Sequence, residues 1–239
     1  MVIVFVIMVA LLRGNAPLVV GDWTKQTMYL WLIDCCHIQD KKAAARFMLI
    51  DDDSDDGVFA IKQICDELHI KATFAVLPNM MSKRVRDSLR YWQKEGFGIA
   101  IHGYDHNDWR NKKYNEIIAD INKCEKRLTS EGFDCNKIRY VVTPHSSNNK
   151  DIRKAVKDKK YQMVMGANMV NPDTTVFQLG RLFITHETDL EKFEKILTKA
   201  RKRKCFVIFG THSSKSEEFS KEKTKAVLAL AIEMGFKYI

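Results

Sequence analysis

The feature that most restricts this chain is an alternation that begins near residue 46 and continues to residue 239. Short runs rich in β-branched and aromatic residues fall at 46–50, 72–77, 98–101, 139–143, 162–166, 179–184, 205–209 and 236–239. Between most of them lie amphipathic stretches, at 58–69, 82–95, 112–131, 150–158, 189–204 and 217–234. In the first of these, Val58, Ile61, Ile64, Cys65 and Leu68 repeat at the spacing of one buried helix face. Gly96, Gly132 and Gly235 come just past such stretches, where a left-handed helix end is expected. Eight strands alternating with helices predict an α/β fold of parallel βα units, closed or nearly closed into a barrel. The rival is an open doubly wound sheet, and its glycine-rich phosphate fingerprint is missing.

With 239 residues, 46% of them hydrophobic, one large domain fits better than two small ones. Residues 46–239 are expected to form the barrel and residues 1–45 an N-terminal extension. The opening "MVIVFVIMVALL" is wholly apolar but too short to span a bilayer as a helix, so stable membrane insertion is not expected. No basic residue precedes it and no clear A-x-A site follows. A strand, a degenerate signal and a short anchor all stay open, and with them a cell-envelope, exported or cytoplasmic location. Cysteines 35, 36, 65, 124, 135 and 205 show no CxxC pairing, so reduced thiols are expected. The formal charge of +9 is spread along the chain. Its densest run, Arg201-Lys202-Arg203-Lys204, closes a stretch that starts with Glu187, Asp189, Glu191 and Glu194. Acid first and base last suits a helix dipole, so the run reads as a solvated helix end and no nucleic-acid partner is expected.

In a parallel barrel, chemistry gathers where strands end. The run 46–50 is followed by Asp51, Asp52 and Asp53, and 98–101 by "HGYDH", with His102 and His106. Pro144-His145 follows 139–143, and "THSS", with His212, follows 205–209. His69, His37 and His186 lie in blander places. Asp55 and Asp56 read as caps for the helix at 58. Asp51 and Asp52 differ, because neighbouring carboxylates beside a buried strand raise each other's pKa or need a cation. Two histidines four residues apart plus one carboxylate leave a tetrahedral ion with an open position, the layout of a hydrolytic site. A second carboxylate can then accept a proton and a separate histidine can donate one.

In order, "LIDDD", "IKATFAVLPN", "GFGIAIHGYDH", "VVTPHSS" and "FVIFGTHSS" resemble the polysaccharide deacetylase, or NodB-homology, superfamily from about residue 46 onward. The resemblance implies a distorted (β/α) barrel with seven to eight parallel strands. It implies Asp51 as catalytic base, Asp52, His102 and His106 as ligands of a divalent metal, most simply Zn, and His212 as general acid. It places Pro144 and His145 in the substrate-binding segment, with the His145 backbone N–H facing the oxyanion. The implied substrate is an N-acetylated glycan or oligosaccharide, deacetylated by hydrolysis of a C–N bond.

The sequence departs from the family pattern in three places. Asp53 replaces the glycine after the aspartate pair, Val142 replaces the third-motif arginine, and the fourth-motif tryptophan is not evident. Arg181 is a candidate to supply the missing guanidinium from another strand. Two alternatives stay open: a carbohydrate-binding homologue with weak or no catalysis, and a metal-dependent amidase acting on a non-sugar amide.

Overall fold

The computed structural model describes residues 44–239. The expectations for the apolar run 1–12, for the extension up to residue 43, and for Cys35 and Cys36 lie outside the described residues.

Among the described residues, nine strands form one sheet: β1 (Arg46–Asp52), β2 (Ala72–Val76), β3 (Gly98–Ile101), β4 (Tyr140–Val142), β5 (Gln162–Met165), β6 (Gln178–Gly180), β7 (Leu182–Phe183), β8 (Phe206–Thr211) and β9 (Lys237–Tyr238). All their pairings are parallel. Their order is β6-β5-β4-β3-β2-β1-β8-β7, with β9 beside β1. Six helices connect them: α1 (Val58–Glu67), α2 (Lys83–Lys94), α3 (Tyr114–Ser130), α4 (Lys150–Asp158), α5 (Leu190–Lys202) and α6 (Lys221–Glu233). This is the α/β, nearly closed parallel barrel that the alternation predicts.

The run expected as one strand over 179–184 is divided, and the division closes the barrel. β6 pairs with β5, whereas β7, one residue later, pairs with β8. A single stretch of chain thus joins both edges of the sheet, with Arg181 at the break. Asn171 fills the remaining gap. Its backbone exchanges hydrogen bonds with Phe206 at 2.8 and 2.9 Å. Its side-chain amide donates to the Gly180 carbonyl and accepts from the Gly180 N–H, at 2.9 and 2.8 Å. The amide stands in for a missing strand residue.

Helix starts follow local capping chemistry. Ser82, Asn149, Asp189 and Ser220 each accept from an amide of the first turn. The basic residues Lys199, Arg201 and Lys202 close α5, as the dipole argument expects. Cys65, Cys124 and Cys135 are unbridged. Among the described residues, no helix is long and apolar enough to cross a membrane.

Both faces of the sheet are buried, as in other parallel barrels. Phe47 and Leu49 face the helices, together with Phe74, Ile99, Val141 and Phe209. Met48 and Ile50 face the lumen, where they meet Ala75, Ala100, Val142, Val164, Leu179, Phe206 and Ile208. Each buried Val, Leu, Ile, Phe or Met side chain among them contributes roughly 1.5–3 kcal/mol by leaving water. The lumen is therefore a packed apolar plug, and any polar chemistry must sit on top of it.

Candidate metal centre

The next inward position on each strand carries a polar group. Asp52 shares the parity of Met48 and Ile50, His102 that of Ala100, Arg181 that of Leu179, and His212 that of Phe206 and Ile208. A polar tier thus caps the apolar one at the strands' C-terminal ends.

At its centre Arg181 Nη1 donates to Asp52 Oδ1 at 2.6 Å, and both side chains are only 2% exposed. The other Asp52 oxygen faces His212 Nε2 at 3.5 Å and His102 Nε2 at 3.9 Å. Burial works to raise the Asp52 pKa, but the Arg181 guanidinium and then His102 outweigh it and hold the carboxyl below its usual range.

Asp53 follows the end of β1 with φ 72°, and Ser54 follows with φ 47°. Left-handed conformations at non-glycine residues cost about 1–3 kcal/mol each and persist where the surroundings enforce them. Here the Ser54 hydroxyl is tied to the Ala75 carbonyl at 3.1 Å. The result is that Asp53 Oδ1 lies 3.4 Å from His102 Nε2 and 3.6 Å from His106 Nε2. That oxygen is buried and has no hydrogen-bond partner. One ligand atom from each of Asp53, His102 and His106 falls within 4.8 Å of the others.

The imidazoles are presented for ligation. His102 Nδ1 donates to the Val142 carbonyl at 2.8 Å, which leaves the lone pair of the neutral ring on Nε2, facing Asp53. His106, at φ 61°, has its carbonyl held by His145 Nε2 at 3.1 Å. Burial lowers the His106 pKa, with His102 adding to the effect. Burial also opposes charge on His102, but Asp52 and Asp53 raise its pKa overall. A cation that takes that nitrogen must therefore displace a proton. One carboxylate and two imidazoles with an open side suit a small divalent cation, and an orphaned buried carboxylate oxygen is what such an ion would satisfy.

A cavity of about 210 Å³ opens over this tier, lined among others by Asp52, Asp53, His106, His145, Arg181 and His212. Seven residues singled out in the sequence meet here: Asp52, Asp53, His102, His106, His145, Arg181 and His212. His212 stacks on Phe183 with centroids 4.9 Å apart, and its Nδ1 lies 3.4 Å from Glu218 Oε2. Burial lowers its pKa, although Asp52 pulls the other way.

Neither Asp51 nor Asp52 belongs to the trio of ligand atoms that meets at the two histidines. Asp51, expected as the base, has the outward parity of Phe47 and Leu49 and does not line the cavity. Its oxygens accept from Thr211 Oγ1, Ser213 N and Ser213 Oγ at 2.7, 3.0 and 2.5 Å, in the seam between barrel and helices. Asp52, expected as the metal ligand, is held by Arg181, and the carboxylate that meets both histidines is Asp53. Pro144 also stays out of the cavity lining. It packs where a side chain on Gly103 would stand, its Cγ 2.9 Å from that position. Of the two expected caps, Asp55 accepts from Gly57 N at 2.7 Å, whereas Asp56 faces Arg84 at 3.9 Å. Phe183 and Glu218 were not anticipated. Phe183 had a signal, since it lies two residues after Arg181 and so on the same face.

The sequence matches the profile of the family described as Polysaccharide deacetylase over residues 39–164, just over half of the chain. No curated protein matches it. Among solved structures, the chitin deacetylase of the fungal pathogen Colletotrichum lindemuthianum is 14% identical, with a TM-score of 0.59 over 83% of this chain and 86% of that one. The Xyl-CE4 domain of a multidomain xylanase, from the hindgut metagenome of Trinervitermes trinervoides, is 14% identical, with a TM-score of 0.56 over 82% and 87%. A CE4 family pseudoenzyme from Bacillus anthracis is 16% identical, with a TM-score of 0.54 over 82% and 63%. At such identities the neighbours speak for the fold, and the profile speaks for the family.

Proposed function

The chain belongs to the polysaccharide deacetylase family, and from that premise we propose that it removes acetyl groups from an N-acetylated glycan or oligosaccharide. In this reading Asp53, His102 and His106 hold a divalent cation, with Zn²⁺ the best match to the donor set. What carries the reading is one observation: a buried, unpartnered Asp53 oxygen between two imidazole nitrogens, beside an ionised Asp52. A cation bound there supplies Lewis-acid polarisation of the acetyl carbonyl and a more acidic water.

The chain's own groups divide the rest of the work. Asp52 is the general base: Arg181 fixes one oxygen, and the other faces the cavity to accept the proton of the attacking water. Arg181 keeps that carboxylate ionised and aimed. His212, on the same tier, hands a proton to the departing sugar nitrogen, oriented by Phe183 on its face and Glu218 at Nδ1. The backbone N–H of His145 serves the oxyanion. Val142 would favour a purely carbohydrate-binding role if no guanidinium reached the base, but Arg181 reaches it from across the barrel.

The test is acetate release by the zinc-loaded protein from chitooligosaccharides, peptidoglycan fragments and acetylated xylan, with simple amides in parallel. Release from the N-acetyl sugars, lost in Asp52→Asn, is the expected result. Release from simple amides alone would move the substrate class, and no release by fully loaded protein would reject catalysis.

A further inference from the structure

We propose that Asp120 of α3 is the positioning residue that holds His106 in ligand geometry, by gripping the β3–α3 loop on both sides of it. This inference rests on the metal reading above and deepens it.

His102 and His106 are held in different ways. His102 directly follows β3, and its ring is fixed by the Val142 carbonyl. His106 lies four residues further on, in a loop, at φ 61°. Something must fix that loop, because a ligand displaced by an ångström no longer shares an ion with its partners.

Asp120 is the group placed to do so. Its Oδ1 accepts from the backbone N–H of Tyr104 at 2.9 Å, two residues before His106. Its Oδ2 accepts from Trp109 Nε1 at 3.3 Å and from Lys112 Nζ at 2.8 Å, both after His106. Trp109 is fully buried, so the loop carries its own apolar plug, whose indole N–H needs an acceptor inside the protein. On the far side, Ser147 Oγ donates to Asp108 Oδ1 at 2.8 Å and His145 holds the His106 carbonyl. Asp120 thus completes a clamp around one imidazole.

Stability alone does not account for an aspartate at this position. Asp120 stands on the buried stripe of α3, with Ile117, Ile121 and Cys124, and is only 9% exposed. A well-packed apolar residue there would serve packing as well or better, because a buried charge must first be desolvated. The three N–H donors to this carboxylate all belong to the loop, and α3 itself adds only the Cys124 thiol at 3.8 Å. The position therefore reads as a support behind a ligand, the kind of outer partner whose loss weakens metal binding.

The experiment titrates metal-free protein with Zn²⁺ against a competing chelator and records the visible spectrum of the Co²⁺ form. In Asp120→Asn the amide keeps an acceptor for Tyr104 but turns N–H groups toward Trp109 and Lys112. The expected result is metal affinity about 10- to 100-fold weaker, with a changed cobalt spectrum, in protein that keeps a wild-type far-UV spectrum. Trp109→Phe removes one of the three donors and is expected to weaken affinity in the same direction, by less, and it serves if the first variant does not fold. Wild-type affinity and an unchanged cobalt spectrum in the folded variant would overturn the proposal. Failure of the wild-type protein to bind either ion would overturn the metal reading and this inference with it, and is distinguished by the wild-type titration alone.

Discussion

Asp51 and Asp52 are consecutive residues of one strand, both almost fully buried, and they lie in two different regions. Asp51 enters the seam between β8 and the helices, where its donors are two hydroxyls and one backbone amide, all neutral. Burial dominates there, and the carboxyl pKa is pushed up to about 7 against the hydrogen bonds that lower it. Asp52 enters the lumen, where a guanidinium lies within 2.6 Å and holds the carboxyl ionised. The lesson is that burial does not decide the state of a carboxylate; the charge of its partner does.

The largest expected effect separates the two aspartates by activity. Asp52→Asn is expected to lower acetate release about 10²–10⁴-fold while metal content, read by elemental analysis, stays at the wild-type level. Asp51→Asn is expected to stay within a few-fold of wild type in the same assay. Equal losses in both variants would erase the distinction between base and scaffold.

Next in size is the loss of the lumen's cation. Arg181→Met leaves Asp52 as an uncompensated buried charge and is expected to cost about 3–5 kcal/mol in chemical denaturation. Adding Asp52→Asn to it is expected to recover part of that loss.

The seam is tested by pH. The folded protein keeps a proton on Asp51 up to about 7, whereas the ordinary value is 3.8. Between those values the folded state binds more protons than the unfolded one. The contribution of Asp51 is therefore fully present below about pH 4 and is lost as the pH rises through about 7. Asp51→Asn cannot ionise, so its stability relative to wild type is expected to be higher at pH 8 than at pH 5, by an amount on the order of a few kcal/mol. A parallel pair of stability–pH curves would contradict this. Thr211→Val, the smallest change, removes one donor to Asp51 at nearly constant shape. It is expected to cost about 1 kcal/mol and to move the midpoint of the pH dependence upward.

These comparisons also mark what could be read from the sequence. The barrel was legible because periodicity and strand spacing are local properties, and the run at 179–184 was visible even though closure divides it into β6 and β7. His102, His106 and His212 were legible because each directly follows, or nearly follows, a strand. The register of the aspartates was not. In a strand such as "RFMLI", both faces are buried, so the sequence carries no polar alternation that marks the lumen side. Asp53 was harder still, because two successive left-handed residues aim it, and neither is the glycine that normally signals such a turn. Asp120 left a faint mark, an acid on an otherwise apolar helical stripe.

The sequence by itself determined the alternation of strands and helices, the cluster of imidazoles and carboxylates at one end of them, and the family to which that order belongs. Only the tertiary structure decided which aspartate faces the lumen, that a guanidinium 129 residues away reaches it, and that Asp53 joins the histidines. The reason is physical. Local pattern sets which elements form, but the inward face of a doubly buried strand exists only once the sheet has curled on itself and given it an inside.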